Sequence, residues 1–392
     1  MNNFLHDDPF DLQARLAAVS KRDAWRRRER RDGPVSPHVS VEGQALLSFV
    51  SNDYLGLAGD TRLVEAWTRG AQIYGVGAAA SHLLGGHTPA HEALEDNLAD
   101  WVGAERALLF STGYMANLAV VTALAGRGWT VFENRRNHAS LIDAVTLSRS
   151  RRVRYRDTGD LETRLAAHQA GHGFIVTDGV FSMDGDVAPV ADLARYAQAH
   201  HLGLIVDDAH ALGVIGPAGA GTLAEAHLSP RGGIALVGTL GKALGVLGAF
   251  VAGTADLIEA LIQTARPYVY TTAVPPALAL ATAEAVRIAR AEEFRRARLT
   301  EHIAFFRAQA AALGLRLEPS RTAIQPLIIG SNRATMDAAQ RLRRAGLLVG
   351  AVRPPTVPAG QGRLRITLSA AHQIADIERL LAALAQLPVV SA

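Results

Sequence analysis

The sequence contains one amine whose surroundings point to covalent chemistry. Of its 40 lysine and arginine residues, only Lys21 and Lys242 are lysine. Arginine can replace lysine wherever only positive charge is needed, but its guanidinium stays protonated and cannot form an imine with an aldehyde. Lys21 lies in a polar, arginine-rich segment, where a solvated side chain is the simplest interpretation. Lys242 follows the apolar run 234–237 within the small-residue segment 238–243, and this position favours a chemical role for its amine.

Two segments that follow apolar runs have the residue types needed to hold a flat ring carrying a phosphate. Small residues at 111–114 come after the run 107–110 and before a predicted helix, and backbone N–H groups at a helix start bind phosphate. An ordinary N-cap with a glycine turn explains the same residues equally well. His138 opens another predicted helix, where its ring can stack on a heteroaromatic ligand or simply cap the helix.

A third segment ends an apolar run with carboxylates. Asp207 and Asp208 follow the run 203–206, and charge at the edge of a core is costly unless it has a partner. A carboxylate that faces a pyridine nitrogen keeps the ring protonated and makes it a better electron sink. His210 can hydrogen-bond a phenolic oxygen on the same ring. A nucleotide-type magnesium site competes with this interpretation, but the glycine-lysine pair at 241–242 lacks the rest of the phosphate-loop pattern.

Other clusters do not predict a metal. The loop 177–186 also closes an apolar run and adds polar side chains to the strand-end segments that could hold the same ligand, but its carboxylates lack the spacing and terminal glutamate of an EF-hand. His82, His87 and His91 lie on a segment with glycine and proline, and their spacing does not place all three on one helical face. We therefore predict no metal site. Taken in chain order, the phosphate loop, the ring-stacking histidine, the carboxylate and the lysine instead predict a site for pyridoxal 5′-phosphate (PLP).

The elements that must position these residues alternate between strands and helices. Apolar, β-branched runs and helical segments interleave over about 60–255, which is typical of an α/β domain with a mainly parallel sheet between layers of helices. In such sheets, ligands bind beyond the carboxyl ends of the strands. The predicted strands are 107–110, 129–132, 174–177, 203–206, 234–237 and 249–252, and the predicted helices between them are 89–102, 115–125, 140–147 and 188–200.

The two ends of the chain have a different pattern. We predict a polar helix over 11–31, a short strand over 46–50 and a long helix over 277–313. A smaller α+β arrangement follows, in which the predicted strands are 324–330, 347–352 and 363–368 and the predicted helices are 334–345 and 372–387.

The length of 392 residues and the hydrophobic content of 49% allow a large core divided between two or more units. We divide the chain into an N-terminal helical and extended segment (1–50), a large PLP-binding α/β domain (51–290) and a small C-terminal α+β domain (291–392). Five arginines lie between residues 26 and 31. We interpret them as a solvated helix face, with a site for a short anionic ligand as the alternative.

The composition excludes several classes of site and of protein. The chain has no cysteine, which excludes disulfides, zinc–thiolate sites, iron–sulfur clusters and cysteine nucleophiles. The net charge of +3 is too small to predict nucleic-acid binding, and no run approaches the ~18 apolar residues of a membrane span. The first ten residues contain Asp7 and Asp8 and no apolar run, unlike a secretory signal. We therefore expect a cytoplasmic protein that binds neither nucleic acid nor membrane.

Over most of its length the sequence resembles the α-oxoamine synthase family of fold-type I PLP enzymes. The resemblance runs from about Arg26 to the C-terminus and rests on short, specific segments. These are 51–57 (SNDYLGL), 83–86 with 89–95, 179–186 (GVFSMDGD), 206–210 (VDDAH), 239–242, 353–360 (RPPTVPAG) and 363–372. The resemblance implies the fold-type I architecture, PLP as the cofactor, and a homodimer in which the subunits share the active site.

The resemblance also implies roles for individual residues. The implied cofactor-binding residues are Gly113, Tyr114 and Thr239 at the phosphate, Ser182 and His210 at the phenolic oxygen, His138 on the ring, Asp207 at the pyridine nitrogen, Lys242 in the imine, and Thr271 and Thr272 at the partner subunit's phosphate. The implied catalytic residues are Lys242, His138, Asp207 and His210. The implied substrate-binding residues are Arg26, Asn52, His138, Thr356 and Arg365, with Asn52 and Arg365 at the amino acid's carboxylate.

Within the family, the segments 353–360 and 363–372 are most similar to the branch that condenses L-alanine with a pimeloyl thioester. That reaction releases carbon dioxide and a thiol and gives 8-amino-7-oxononanoate for biotin biosynthesis. The thioester is that of coenzyme A (CoA) or of an acyl carrier protein. A sister enzyme that uses glycine or serine stays open, and from the residues alone so does a nucleotide-binding oxidoreductase or a binding module.

The sequence departs from the family pattern at a few positions. Asp178 stands where relatives often have glutamate, and the run of alanines at 78–80 replaces a stretch rich in glycine and serine. Ala211 and Leu212 stand where small polar residues are usual, and Leu240 replaces a common aromatic residue. None of these changes removes a chemical role, but we expect the drier positions to influence which acyl chain is selected.

Overall fold

The computed structural model describes residues 9–21, 25–167, 171–354 and 356–388. Within these ranges the strands are β1 Arg31–Asp32, β2 His38–Val41, β3 Gln44–Phe49, β4 Arg106–Phe110, β5 Thr130–Asn134, β6 Arg151–Tyr155, β7 Gly173–Asp178, β8 Gly203–Asp207, β9 Ile234–Thr239, β10 Ala249–Gly253, β11 Ile324–Gly330, β12 Leu347–Val352 and β13 Gly362–Thr367. The first eight residues lie outside this description. The prediction that they do not form a secretory signal therefore stays a prediction.

The helices in the same ranges are α1 Leu12–Lys21, α2 Thr61–Tyr74, α3 Pro89–Val102, α4 Gly113–Leu124, α5 Ala139–Ser148, α6 Thr158–Ala166, α7 Val190–Ala199, α8 Thr222–Glu225, α9 Ala255–Thr264, α10 Arg266–Val269, α11 Pro276–Ala291, α12 Glu293–Ala312, α13 Asn332–Arg344 and α14 Ile374–Leu384. Short 3-10 turns cover His82–Leu84 and Pro217–Gly219. None of the described helices is both long enough and apolar enough to cross a membrane.

A seven-stranded sheet, counted over the described residues, forms the centre of the molecule in the order β4-β10-β9-β8-β7-β5-β6. Neighbouring strands run parallel except at β10, which is antiparallel to both β4 and β9. Apolar side chains are buried on both faces of this sheet, because helices cover both. The six predicted strands are therefore confirmed: the strand predicted at 129–132 is shifted to Thr130–Asn134, and the other five extend one or two residues beyond their predicted bounds. The edge strand β6 was missed because three of its five residues are arginines.

A second, six-stranded sheet in the described chain has the order β1-β2-β3-β12-β13-β11. In it, β3 pairs in parallel with β12, so that a strand near the start of the chain joins strands near its end. The predicted strands 324–330 and 347–352 are confirmed with identical bounds. The division of the chain into domains at 51 and 291 stays a prediction, although this sheet combines strands from the first and third segments.

Two predicted helices end earlier than the sequence pattern indicated. The helix predicted over 11–31 ends at Lys21, and the arginine-rich residues 25–30 are exposed and irregular. Like-charged neighbours disfavour a helix that has no core to pack against. The helix predicted over 277–313 is divided at Glu292, whose backbone leaves the helical region. The carboxylate of Glu292 binds both Arg62 and Arg295, which fixes this break.

The close packing of α2 on α11 gives a test of the fold. A methyl group added at Gly70 would lie 2.6 Å from the Cα atom of Ala277, so the two helices would have to separate. We expect Gly70→Ala to lower the free energy of unfolding by about 1–3 kcal/mol. The control is Gly126→Ala, where a methyl group would have no described atom within 4 Å. Urea denaturation measures both, and equal midpoints for the two variants would contradict this packing.

Candidate active site

The candidate site is a cavity at the carboxyl ends of the central strands. Lys242 lies in the turn that follows β9, and its amine enters a cavity of about 180 Å³. The lining residues are Gly113, Tyr114, Asn117, His138, Ser140, Asp178, Val180, Ser182, Asp207, Ala209, His210, Thr239 and Lys242. The structure thus brings together eight of the ten predicted cofactor-binding residues, although they are spread over 130 positions of the sequence from 113 to 242.

Asp207 is held by hydrogen bonds from two different elements. It ends β8, and its Oδ1 atom accepts from the backbone N–H of Ala209 at 3.0 Å. The Nδ2 group of Asn117, from α4, donates to Oδ2 of Asp207 at 2.6 Å and to Ser140 at 2.8 Å. These bonds fix the orientation of the carboxylate. Asp208, by contrast, is fully buried and binds the backbone and the hydroxyl of Thr222, so its role is structural.

Asp178 lies beside Asp207 because β7 and β8 are parallel neighbours and the two residues are in register. Burial raises the pKa of the Asp178 carboxyl well above its usual value, and the nearby Asp207 raises it further. The two neighbouring carboxylates therefore disfavour being charged at the same time. The backbone N–H of His138 donates to Asp178 at 3.0 Å. Asp178 therefore fixes the backbone at the start of α5, where His138 lies.

His138 presents a neutral ring to the cavity. It caps α5, and its Nδ1 atom lies 2.7 Å from the Ser140 hydroxyl. Burial lowers the pKa of His138, and the cationic Lys242 opposes its protonation as well. A neutral, flat ring held at the N-terminus of a helix can stack on a heteroaromatic ligand.

The start of α4 forms a phosphate-sized cradle. Gly113 is the first helical residue, and Thr112 caps the helix by accepting from the Met115 N–H at 3.2 Å. The Thr239 hydroxyl lies opposite, since a methyl group at Gly113 would be 3.9 Å from its oxygen. Free N–H groups at a helix start, a hydroxyl and a glycine are the groups that phosphate binding requires. Tyr114 extends the rim and donates its hydroxyl proton to Asp143.

A second group of residues meets the first from the smaller sheet. Arg365 of β13 donates from its guanidinium to the Asn52 side-chain oxygen at 3.3 Å and to the Ser182 carbonyl at 2.7 Å. Tyr54 connects this pair to His210, because its hydroxyl lies 3.3 Å from the Asn52 side-chain oxygen and 2.6 Å from Nδ1 of His210. The predicted carboxylate-binding residues Asn52 and Arg365 are thus in contact with each other and close to the cavity.

The remaining predicted residues lie elsewhere. Arg26 and Thr356 line a separate cavity of about 160 Å³ whose lining also contains Met183, the neighbour of Ser182. Thr271 and Thr272 do not line the cavity around Lys242. Thr272 instead forms a backbone bridge with Ser81. The prediction that these threonines reach a partner subunit's phosphate therefore stays a prediction.

The three histidines that the sequence analysis set aside do converge. They share no helical face, but their ring nitrogens lie within 4.8 Å of one another because the turn His82–Leu84 folds against α3. His91 has both nitrogens engaged, with the Val274 carbonyl at 2.8 Å and with Thr88 at 3.0 Å. Because both ring nitrogens of His91 already have partners within the protein, we interpret the cluster as histidines packed against one another. The absence of a metal site stays a prediction.

The two departures from the family pattern at leucine are core residues. Leu212 and Leu240 are each about 2% exposed and lie outside the lining of the cavity. A methyl group at Gly238 would lie 3.1 Å from Leu212, and one at Gly248 would lie 3.1 Å from Leu240. They therefore fill space against glycines beneath the site, and their influence on acyl-chain selection stays a prediction.

The pKa of the Lys242 amine is shifted in the direction that favours nucleophilic chemistry. Burial lowers its pKa from the usual 10.5 to about 8, while the attraction of Asp207 and Asp178 opposes this change. A substantial fraction of the amine is therefore uncharged near neutral pH, which is the form that attacks an aldehyde. An amine for the aldehyde, a carboxylate for a ring nitrogen and a helix start for a phosphate together fit PLP.

The comparison with known families agrees with this chemistry. The model of the family "Aminotransferase class I and II" matches residues 44–384. The chain belongs to this family. Its architecture is accordingly that of the fold-type I PLP-dependent transferases, and PLP is its cofactor.

Relatives within the aminotransferase family match nearly the whole chain. The 8-amino-7-oxononanoate synthase of Methylococcus capsulatus is 54% identical, covering 96% of this chain and 98% of the relative. The protein of the same name from Pseudomonas syringae pv. tomato is 52% identical and covers 96% of each chain.

Two solved structures share the fold of this chain over most of its length. The serine palmitoyltransferase of S. paucimobilis with bound PLP-myriocin has a TM-score of 0.92 at 29% identity, covering 99% of this chain and all of that one. The 8-amino-7-oxononanoate synthase of Francisella tularensis has a TM-score of 0.77 at 30% identity, covering 87% of this chain and 97% of the other.

Three residues of the site were not found from the sequence. Asn117 lies inside an apolar helix, Asp178 was noted only as a departure, and Tyr54 was quoted only as part of the motif 51–57. Each acts on a predicted residue through a hydrogen bond across the fold. The only available signal was a polar residue within an apolar run, which Asn117 provides.

The pKa of Lys242 predicts how the apoprotein takes up PLP. The rate of PLP incorporation should rise with pH and level off above a midpoint near 8, because the uncharged amine is the reacting form. Asp207→Asn should move the midpoint to lower pH, since Asp207 stabilises the ammonium form. Stopped-flow absorbance at a series of pH values measures both. A midpoint near 10.5 would show that the amine is not desolvated.

Proposed function

We propose that the chain condenses L-alanine with a pimeloyl thioester to give 8-amino-7-oxononanoate, carbon dioxide and a free thiol. The observation that carries the proposal is the placement of the Lys242 amine and the Asp207 carboxylate on one cavity. The names of the relatives at 52% and 54% identity support this reaction over the sister reactions with glycine or serine.

The residues divide the work of the reaction between them. Arg365 and Asn52 bind the carboxylate of the amino acid, because a guanidinium beside an amide is suited to a carboxylate. The Lys242 amine would hold PLP at its aldehyde, and in the reaction it serves as the general base that removes the Cα proton and later returns a proton. PLP, when bound, withdraws electrons from the Cα atom and so makes that proton acidic. Asp207 keeps the ring nitrogen protonated.

The new carbon–carbon bond joins Cα of alanine to the thioester carbonyl. The thiolate leaves and takes up a proton, and the resulting β-keto acid then loses its carboxylate as carbon dioxide. His138 covers one face of the reacting centre and excludes water from it. Ser182 and His210 hold the phenolic oxygen, while Gly113, Tyr114 and Thr239 hold the phosphate.

The acyl donor enters beside the exposed arginines. Arg26 and Thr356 line the same cavity as Met183, and Met183 directly follows the cavity-lining Ser182 in the sequence. We assign them to contact with the thioester substrate. The donor is pimeloyl-CoA or a pimeloyl carrier protein, and both have anionic phosphates that arginine binds well.

We further infer a homodimer in which Thr271 and Thr272 contact the phosphate in the partner subunit. Large apolar side chains near these threonines are exposed in the single chain, among them Tyr270 at 71% and Leu84 at 81%. Exposed apolar clusters of this kind are typical of subunit interfaces. The cytoplasmic location expected from the sequence stays a prediction.

The role of Lys242 is tested by a substitution that keeps its charge. Lys242→Arg should reduce the rate of product formation by at least about 10³-fold, because a guanidinium can neither form the imine nor act as the general base. The matched control is Lys21→Arg, which replaces the other lysine and should leave the rate unchanged. Mass detection of 8-amino-7-oxononanoate measures both, and activity within tenfold of the parent in Lys242→Arg would refute the role.

A panel of substrates tests the identity of the reaction. Thiol release should be fastest with L-alanine and a pimeloyl thioester, and at least about tenfold slower with glycine or L-serine, since a methyl group in a fitted pocket contributes 1–3 kcal/mol to discrimination. Comparing pimeloyl-CoA with the pimeloyl carrier protein identifies the donor. A preference for serine with a long acyl chain would assign the protein to the sister group of the solved palmitoyltransferases.

A further inference from the structure

Tyr54 is a buried residue with a short hydrogen bond into the candidate site. It is about 1% exposed, and its hydroxyl lies 2.6 Å from Nδ1 of His210 and 3.3 Å from the side-chain oxygen of Asn52. Asn52 in turn accepts from both terminal nitrogens of Arg365 at 3.3 Å. Polar contacts therefore run from Arg365 through Asn52 and Tyr54 to His210, but the one phenolic proton can be donated to only one of the two neighbours of the hydroxyl.

The position of the single phenolic proton follows from the groups around it. Burial raises the pKa of Tyr54 to about 12, so the hydroxyl keeps its proton. Burial also lowers the pKa of His210 well below its usual value, and the nearby Lys242 and Arg365 lower it further, so the ring is neutral. The Asn52 oxygen already accepts two bonds from Arg365, and it is the more distant neighbour of the hydroxyl. The Tyr54 proton therefore belongs to the bond with Nδ1 of His210.

A neutral histidine that accepts a proton at Nδ1 must carry its own proton at Nε2. The His210 ring lines the cavity, and its Nε2 atom makes no hydrogen bond to any described residue. The hydrogen bond at Nδ1 thus sets the ring as an Nε2–H donor. A phenolate oxygen is the acceptor that such a donor suits.

We propose that Tyr54 is a positioning residue that fixes the His210 tautomer, so that Nε2–H donates to the phenolic oxygen of PLP. This proposal rests on the role of His210 given under the proposed function. Because Asn52 links Tyr54 to Arg365, the same hydroxyl connects the group that binds the substrate carboxylate to the group that binds the cofactor oxygen.

The proposal predicts a spectroscopic change that needs no substrate. A hydrogen bond donated to the phenolic oxygen stabilises its negative charge and weakens its hold on the neighbouring imine proton. Tyr54→Phe removes the partner that keeps His210 in the donating tautomer. The visible absorbance of PLP bound to Lys242 should then change with pH at a midpoint about one unit higher than in the parent. Tyr196→Phe, which removes an exposed hydroxyl 3.5 Å from Glu162, is the control and should leave the midpoint unchanged.

A double-mutant cycle separates positioning from simple packing. If Tyr54 acts through His210, then Tyr54→Phe should shift the midpoint in the parent protein but have almost no effect in a His210→Gln background. A packing role would give the same change in both backgrounds. Thermal unfolding with PLP bound checks that each variant is folded. An unchanged midpoint in folded Tyr54→Phe, or equal shifts in both backgrounds, overturns the proposal.

The titration is independent of the reaction that the protein catalyses. If the predicted shift is found but no 8-amino-7-oxononanoate is formed, the proposed function fails and the role of Tyr54 stands. If the product is formed but the midpoint does not move, the role of Tyr54 fails alone. The kinetics with L-alanine give a further check: Tyr54 acts on the cofactor oxygen through His210, while Arg365 keeps its own bonds to Asn52 and Ser182, so Tyr54→Phe should lower kcat more than it raises KM.

Discussion

The site depends on the burial of an amine beside a carboxylate. Lys242 and Asp207 are brought together at the ends of neighbouring strands, where the sheet supplies rigidity and the surrounding core removes water. Burial alone would discharge the amine completely, whereas the carboxylate alone would keep it fully charged. The balance leaves an amine that reacts near neutral pH and can still hold a proton when the reaction requires one.

The supporting residues preserve that balance by fixing the orientation of the carboxylates. Asn117 orients Asp207, and Asp178 accepts from the backbone of His138. Asp208 is withdrawn into a separate contact with Thr222. Three aspartates within one small region therefore have three different functions, and these follow from the direction of each side chain and the donors that it meets.

Much of this site was predictable from the sequence, because its residues follow strands that are themselves predictable. Lys242 is conspicuous in a chain that otherwise uses arginine, and Asp207 ends an apolar run. The resemblance to the α-oxoamine synthases supplied the individual roles. The role of Tyr54 could not be predicted from the sequence, because its partner His210 lies 156 positions away and no local pattern indicates such a contact.

The fold itself was predicted where one physical signal dominated. Buried strands of the central sheet are short apolar runs between helices, so their positions follow from composition. The edge strand β6 carries three arginines and looks like a loop, because only one face meets the core. The break at Glu292 involves ion pairs with Arg62 and Arg295. The hydrophobic periodicity of the sequence does not reveal such pairs.

The pairing of β3 with β12 has a consequence for the order in which the protein matures. Asn52 and Arg365 are 313 positions apart, and the strand next to Asn52 has no parallel neighbour until β12 has been made. At about 5–20 residues per second, a ribosome needs roughly 15–60 s to cover that distance. The lysine and its aspartate are therefore synthesised well before Arg365, the arginine proposed to bind the substrate carboxylate. The strands of the central sheet leave the ribosome first, so the cofactor pocket can form before the smaller sheet is complete.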